Sequence, residues 1–228
     1  MKIVKKIGTI ILIVVFLVIL GLWSPWNNWN INIFNLLGID SSEKFATLKV
    51  KSIQGTVSIY VDDELKGTAT DNSEFAEINP ITPGEHTISL KKESNGNYYQ
   101  FVRKVNFEPG LDVVVAYDLG PSQMFSEGHI LYTRKNFLNT KNPRLSVYSS
   151  PEETSVFLDD ILVGATVIKD LELDKSVQHK LKFEKNGYDT MEILILPENL
   201  VDREKLSNYD IVLEVNLFLQ PVKINYQP

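Results

Sequence analysis

The strongest constraint on this chain is that its 228 residues contain the same pattern twice. Leu48-Lys49-Val50-Lys51-Ser52 matches Leu145-Ser146-Val147-Tyr148-Ser149 at a shift of 97, and without a gap Ser58 to Gly67 (SIYVDDELKG) matches Ser155 to Gly164 (SVFLDDILVG). Further on, His86 to Lys92 parallels His179 to Lys185 at a shift of 93, and Val113 to Leu119 parallels Ile211 to Leu217. Self-similarity at a fixed spacing implies one structural unit built twice.

Each copy reads as β-structure. Val57, Ile59 and Val61 alternate with Ser58 and Tyr60, the period of a half-buried strand. Asp62-Asp63 and Asp159-Asp160 then stand before Gly67 and Gly164, as a tight turn between short strands requires. Ile88 and Leu90, then Leu181 and Phe183, continue the alternation, and Phe101 to Phe107 forms another strand. Pro83-Gly84 and Pro109-Gly110 mark turns. Only Glu198 to Leu206 suits a turn or two of helix, inserted before the last strand of copy two.

The start of the chain is different. Ile7 to Trp23 is 17 uncharged residues, preceded by Lys2, Lys5 and Lys6 with no acid among them. As a helix it spans about 25 Å, near the thickness of a hydrocarbon core once Ile3 and Val4 extend it and Lys5 and Lys6 snorkel. The exit reads Gly21-Leu22-Trp23-Ser24-Pro25-Trp26, without the small residues a signal peptidase needs. Trp23, Trp26 and Trp29 are the three tryptophans of the protein, and indoles favour the membrane–water interface. A retained anchor is therefore expected rather than a cleaved signal, with the lysines holding the N-terminus in the cytoplasm.

These readings divide the chain as follows. Residues 1–6 are a cytoplasmic N-terminus, 7–23 a transmembrane helix and 24–45 a juxtamembrane linker. Residues 46–120 form β-domain 1, 121–143 a connector and 144–228 β-domain 2. The expected fold class is all-β: two tandem small antiparallel β-sandwich domains behind a single transmembrane α-helix. Gly128 to Tyr132 in the connector suits an edge strand on either domain.

The order of motifs resembles the PEGA domain, a small β-sandwich module. Copy two carries Pro151-Glu152, Val156-Phe157-Leu158-Asp159, Gly164 and Lys185-Asn186-Gly187-Tyr188; copy one carries Ile59-Tyr60-Val61-Asp62, Gly67 and Pro83-Gly84-Glu85-His86. Copy one has Gln54-Gly55-Thr56-Val57 where the signature would stand, and Asp63 and Asp160 occupy a place where the family usually has Gly. The resemblance covers about residues 46–120 and 144–220. It implies an extracytoplasmic adhesive or scaffolding module, for which glycan binding has been suggested, and brings no catalytic residues with it.

Function classes narrow from the same text. The net charge is −6, and removing the N-terminal lysines leaves the body more acidic still, so it repels phosphate backbones and nucleic acid is not an expected partner. There is no cysteine, hence no disulfide, thiolate metal site or cysteine nucleophile. Asp62-Asp63 and Asp159-Asp160 could suggest Ca²⁺, but two adjacent acids are too few for a loop site and Asp is itself a turn residue. His86, His129 and His179 lack the spacing of a metal or catalytic motif, and no nucleophile elbow, phosphate loop or dinucleotide fingerprint is present. No cofactor is expected and no enzymatic activity has positive support.

The expectation is a non-catalytic, membrane-anchored binding or scaffolding protein of the cell envelope. Its partners are the membrane and an envelope glycopolymer or another envelope protein; Tyr98, Tyr99, Tyr132 and Tyr188 are the candidate sugar platforms. The alternatives are a sensory or accessory subunit of a membrane signalling complex, which would need a membrane partner, or a glycan-binding module. A wall-directed hydrolase would require convergent carboxylates in a deep cleft.

Overall fold

The computed structural model describes residues 45–221 apart from 73, 95 and 137–141. The proposed helix at 7–23, the linker up to 44, and the interface residues Lys5, Lys6, Trp23, Trp26 and Trp29 lie outside the described residues. Among the described residues no helix is long and apolar enough to cross a membrane.

Seven strands come first: β1 (Ala46–Ser52), β2 (Thr56–Val61), β3 (Glu64–Thr70), β4 (Ala76–Ile81), β5 (Gly84–Lys92), β6 (Phe101–Phe107) and β7 (Asp112–Asp118). After β8 (Glu127–Lys135) seven more follow: β9 (Arg144–Ser150), β10 (Ser155–Leu158), β11 (Ile161–Ala165), β12 (Ile168–Glu172), β13 (His179–Glu184), β14 (Met191–Ile195) and β15 (Tyr209–Asn216). The expected helical insertion is present as α1 (Leu200–Lys205), with Asn199 accepting from the backbone N–H of Val201 as its N-cap.

Local chemistry sets the hairpins. Asp62 and Asp63 have φ of 51° and 64°, and Asp159 and Asp160 have φ of 48° and 66°. Two consecutive residues in that region make the two-residue turn whose twist matches the flanking strands, closing Val61 against Glu64 and Leu158 against Ile161. One residue in each return strand, Lys66 and Val163, is then extruded as a bulge. Gly67 follows the first bulge, where a Cβ would lie 3.1 Å from Ile78 Cδ1; Gly164 follows the second at φ +149°.

The same pairing scheme holds in both runs. Strands β3-β2-β5-β6 form one four-stranded sheet and β11-β10-β13-β14 another. The remaining strands join in one seven-stranded sheet of order β12-β9-β15-β8-β7-β1-β4. The sheets are not purely antiparallel: β1 pairs with β7, and β9 with β15, in parallel. Each run leaves the large sheet through its hairpins and re-enters beside its own first strand, so first and last strands point the same way.

Strand β8 occupies the centre of the large sheet rather than an edge, antiparallel to both β7 and β15. On one side Val115 faces Ile130; on the other Leu213 faces Leu131. Ile130 and Leu131 are successive residues and so point to opposite faces. That single-residue offset sends the apolar set of β7 (Val113, Val115, Tyr117) to one face and that of β15 (Ile211, Leu213, Val215) to the other. The two small sheets consequently cover opposite faces of the large one. One core gathers Leu48, Ile59, Leu90 and Ile130, the other Leu145, Leu181, Phe183 and Leu213, all at most 1 % exposed. All fifteen strands belong to one compact unit.

Candidate functional site

Each small sheet shields only its own half of the large sheet. The uncovered half of each face is flanked by the edge strand of the other small sheet, β14 on one face and β6 on the opposite one. This arrangement creates two clefts, one on each face, lying toward opposite ends of the matching strands of the two repeats.

Cleft 1 has a volume of about 570 Å³. Lys49, Val114, His129 and Leu131 form its floor, and Ile193 to Pro197 with α1 form its wall. Lys49 Nζ lies 2.6 Å from Asp112 Oδ2, a hydrogen bond that raises the lysine above its ordinary range. Asp202 on α1 is held by Lys205 at 3.1 Å. Each carboxylate of the cleft thus already has a lysine partner. Burial lowers the His129 imidazole to about 4, so it is neutral at neutral pH.

Cleft 2 is smaller, about 230 Å³, and richer in polar and aromatic groups. Tyr99, Phe101 and Arg103 come from the β6 side, Tyr148 from β9, and Glu214 and Asn216 from β15. Arg103 Nη2 lies 2.5 Å from Glu214 Oε2, and the Tyr132 hydroxyl donates to Glu214 Oε1 at 2.9 Å. Burial raises the Tyr99, Tyr117 and Tyr132 phenols above their ordinary range, so all three stay protonated. Asn216, 3 % exposed, donates from Nδ2 to the carbonyl oxygens of Gln123 and Ser126, while its Oδ1 has no partner among the described residues.

The two clefts differ in place as well as in lining. Tyr148 and Glu214 are neighbours in register on β9 and β15; Lys51 and Ala116 hold the matching places on β1 and β7.

The residues singled out by sequence lie mostly elsewhere. Asp62 Oδ1 accepts from the Thr87 amide at 2.8 Å, and its Oδ2 lies 2.6 Å from His86 Nδ1. Asp159 repeats this with the Lys180 amide at 2.9 Å and His179 Nδ1 at 2.6 Å. The far ring nitrogens approach backbone carbonyls, Thr82 O and Asp174 O, both at 2.9 Å. Each first aspartate therefore ties a hairpin tip to the neighbouring strand, and these contacts hold both carboxyls below the usual carboxylate range. Asp63 and Asp160 are exposed on the turns, the latter 3.4 Å from Lys180. Among the described residues no three His, Asp or Glu converge as metal ligands.

Of the four candidate sugar platforms only Tyr99 lines a cleft. Tyr98 stacks under the Lys92 ammonium at 5.0 Å, Tyr132 is engaged with Glu214, and Tyr188 packs on the second core. Sequence reasoning passed over Arg103, Tyr148, Glu214 and Asn216, which only the fold brings together. A signal was available in the run Ile211-Val212-Leu213-Glu214-Val215-Asn216, where two polar residues interrupt one face of an otherwise apolar strand. No protein-family model matches the chain, and neither curated proteins nor solved structures give a match.

Proposed function

We propose that this is a single-pass protein of the cytoplasmic membrane, with its N-terminus inside and two tandem PEGA-like β-domains displayed in the cell envelope. There it serves as a non-catalytic binding or scaffolding protein. The apolar run Ile7 to Trp23, the lysines before it and the tryptophans after it support the anchor. The observation that carries the binding reading is the central position of β8. It welds both repeats into one sheet, so the clefts on either side are held at fixed geometry rather than on a flexible tether.

The absence of cysteine makes the test direct. Lys2→Cys and Asp160→Cys are made separately in the full-length chain, and cells with a permeable outer envelope are treated with a membrane-impermeant maleimide. Labelling of Asp160→Cys in intact cells, with Lys2→Cys labelled only after lysis, is the expected result. Protection of Asp160→Cys until lysis contradicts the proposed orientation.

A further inference from the structure

We infer that the open edge of β14, beside cleft 1, docks an extended segment of a partner protein as an added antiparallel strand. Alternate apolar side chains of that segment, and one acidic side chain, turn into the cleft. The inference rests on the binding reading above and deepens it by naming the partner's chemistry. It uses β14 and cleft 1 alone, so an inverted topology in the labelling experiment would leave it standing.

Backbone direction comes first. The N–H of Asp159 donates to the Lys180 carbonyl at 2.9 Å, and the N–H of Lys180 donates to Asp159 Oδ1 at 2.9 Å. Both backbone groups of Lys180 thus point away from β14. Lys180 and Leu194 are cross-strand partners, so theirs is a non-hydrogen-bonded pair and the N–H and C=O of Leu194 turn outward. Those of Glu192, two residues earlier, do the same. A second extended backbone is the chemistry that matches such an edge. The other edges are guarded against it. Strands β3 and β11 carry bulges, β4 holds Pro80, β12 is irregular in register, and β6 holds Arg103 and Lys104. In contrast, β14 pairs with β13 over its whole length without a shift and has neither proline nor a basic residue. Its one charge, Glu192, lies 3.6 Å from Lys180, and its Leu194 is 64 % exposed.

The cleft then selects side chains. Ile193 and Ile195 are buried at the wall, and the floor continues past them through Leu131 and Val114. At about 570 Å³ the space lies within the roughly 300–1,000 Å³ of enclosing sites, and apolar side chains at every second position of an added strand would fill it. Lys49 is engaged by Asp112 and Lys205 by Asp202. Lys51, two residues beyond Lys49 on the same face, meets the Phe75 ring at 6.0 Å and has no carboxylate partner among the described residues. Phe75 lines the cleft, so an acidic side chain at that rim complements Lys51. A second copy of the chain is a poorer occupant. Each small sheet rests on its own large sheet, so pairing β14 with β14 would force two large sheets into one layer, whereas a single segment meets no such obstacle.

The test uses the full-length chain in detergent and the probe acetyl-Thr-Val-Thr-Val-Thr-Glu-amide. Calorimetry is expected to show one site with a Kd of about 0.1–1 mM. At about ten times that concentration, hydrogen exchange of the Glu192 and Leu194 amides should slow about tenfold. N-methylation of the probe at its second and third threonines should abolish binding. Leu194→Pro should do the same, because it removes an outward N–H and no bond to β13. Replacing the probe's glutamate by lysine should weaken binding about threefold or more. Four results would each overturn the inference: no saturable binding at about 10 mM, binding that N-methylation or Leu194→Pro leaves intact, equal binding of the lysine probe, or sedimentation of the free chain as a dimer that Leu194→Pro makes monomeric.

Discussion

Arg103 and Glu214 meet at 2.5 Å although one belongs to β6 in the first repeat and the other to β15 in the second. Between them runs β8, whose Tyr132 donates to the same carboxylate. The side chain of Glu214 is only 17 % exposed, whereas that of Arg103 is 48 % exposed. The pair is therefore a half-buried clamp across the seam of the repeats.

Arg103→Ala should lower unfolding stability by about 1–2 kcal/mol, between the values for surface and buried pairs, since it leaves Glu214 with Tyr132 alone. Glu214→Gln should cost a similar amount. In a double-mutant cycle followed by urea denaturation, a coupling of about 1 kcal/mol is expected. Additive single effects would show that the contact joins nothing energetically.

His129 should make stability fall in mildly acidic solution. Its folded value of about 4 lies below the ordinary imidazole value of 6.5, so between those limits the unfolded chain binds the proton and the folded one does not. Stability is fully present above about pH 6.5, declines as pH falls, and loses about 3 kcal/mol in total by about pH 4. His129→Leu should remove that slope in melts taken across the same range. Retention of an unchanged slope in the variant would assign it to other groups.

Asp62 and Asp159 act in a more acidic window. Both carboxyls are lowered from 3.8, Asp62 chiefly by His86 and Asp159 chiefly by the Lys180 amide. Their contribution is present above the unfolded value and is lost as pH falls through the folded one. Asp62→Asn and Asp159→Asn should each lower stability at pH 7 by about 1 kcal/mol and flatten the acid limb of the melting profile. A wild-type acid limb in the double variant would contradict the role given to these turns.

Much of the local structure could be read from residues alone. The alternation Val57, Ile59, Val61 places three side chains on one core, and two adjacent aspartates close each first hairpin because Asp tolerates the left-handed region. Long-range order was harder to read. His129 to Arg134 is apolar or amphipathic on both faces, which suits a strand covered on both sides as well as an edge strand packed once. Its central place depends on a one-residue difference between its registers with β7 and β15, and no local pattern encodes that difference. The parallel pairing of first and last strands in each repeat is hidden for the same reason. Cleft 2 depends in turn on β8, since Tyr99 and Asn216 become neighbours only after the repeats are joined.

Hydrogen exchange along β8 in the full-length chain addresses that joining most directly. The amides of Ile130 to Thr133 are expected to exchange as slowly as those of Val113 to Tyr117 and Ile211 to Val215, the strands they bond. If β8 exchanges at the rate of an open loop while β7 and β15 stay protected, the two repeats are separate bodies on a tether, and neither cleft has a fixed shape.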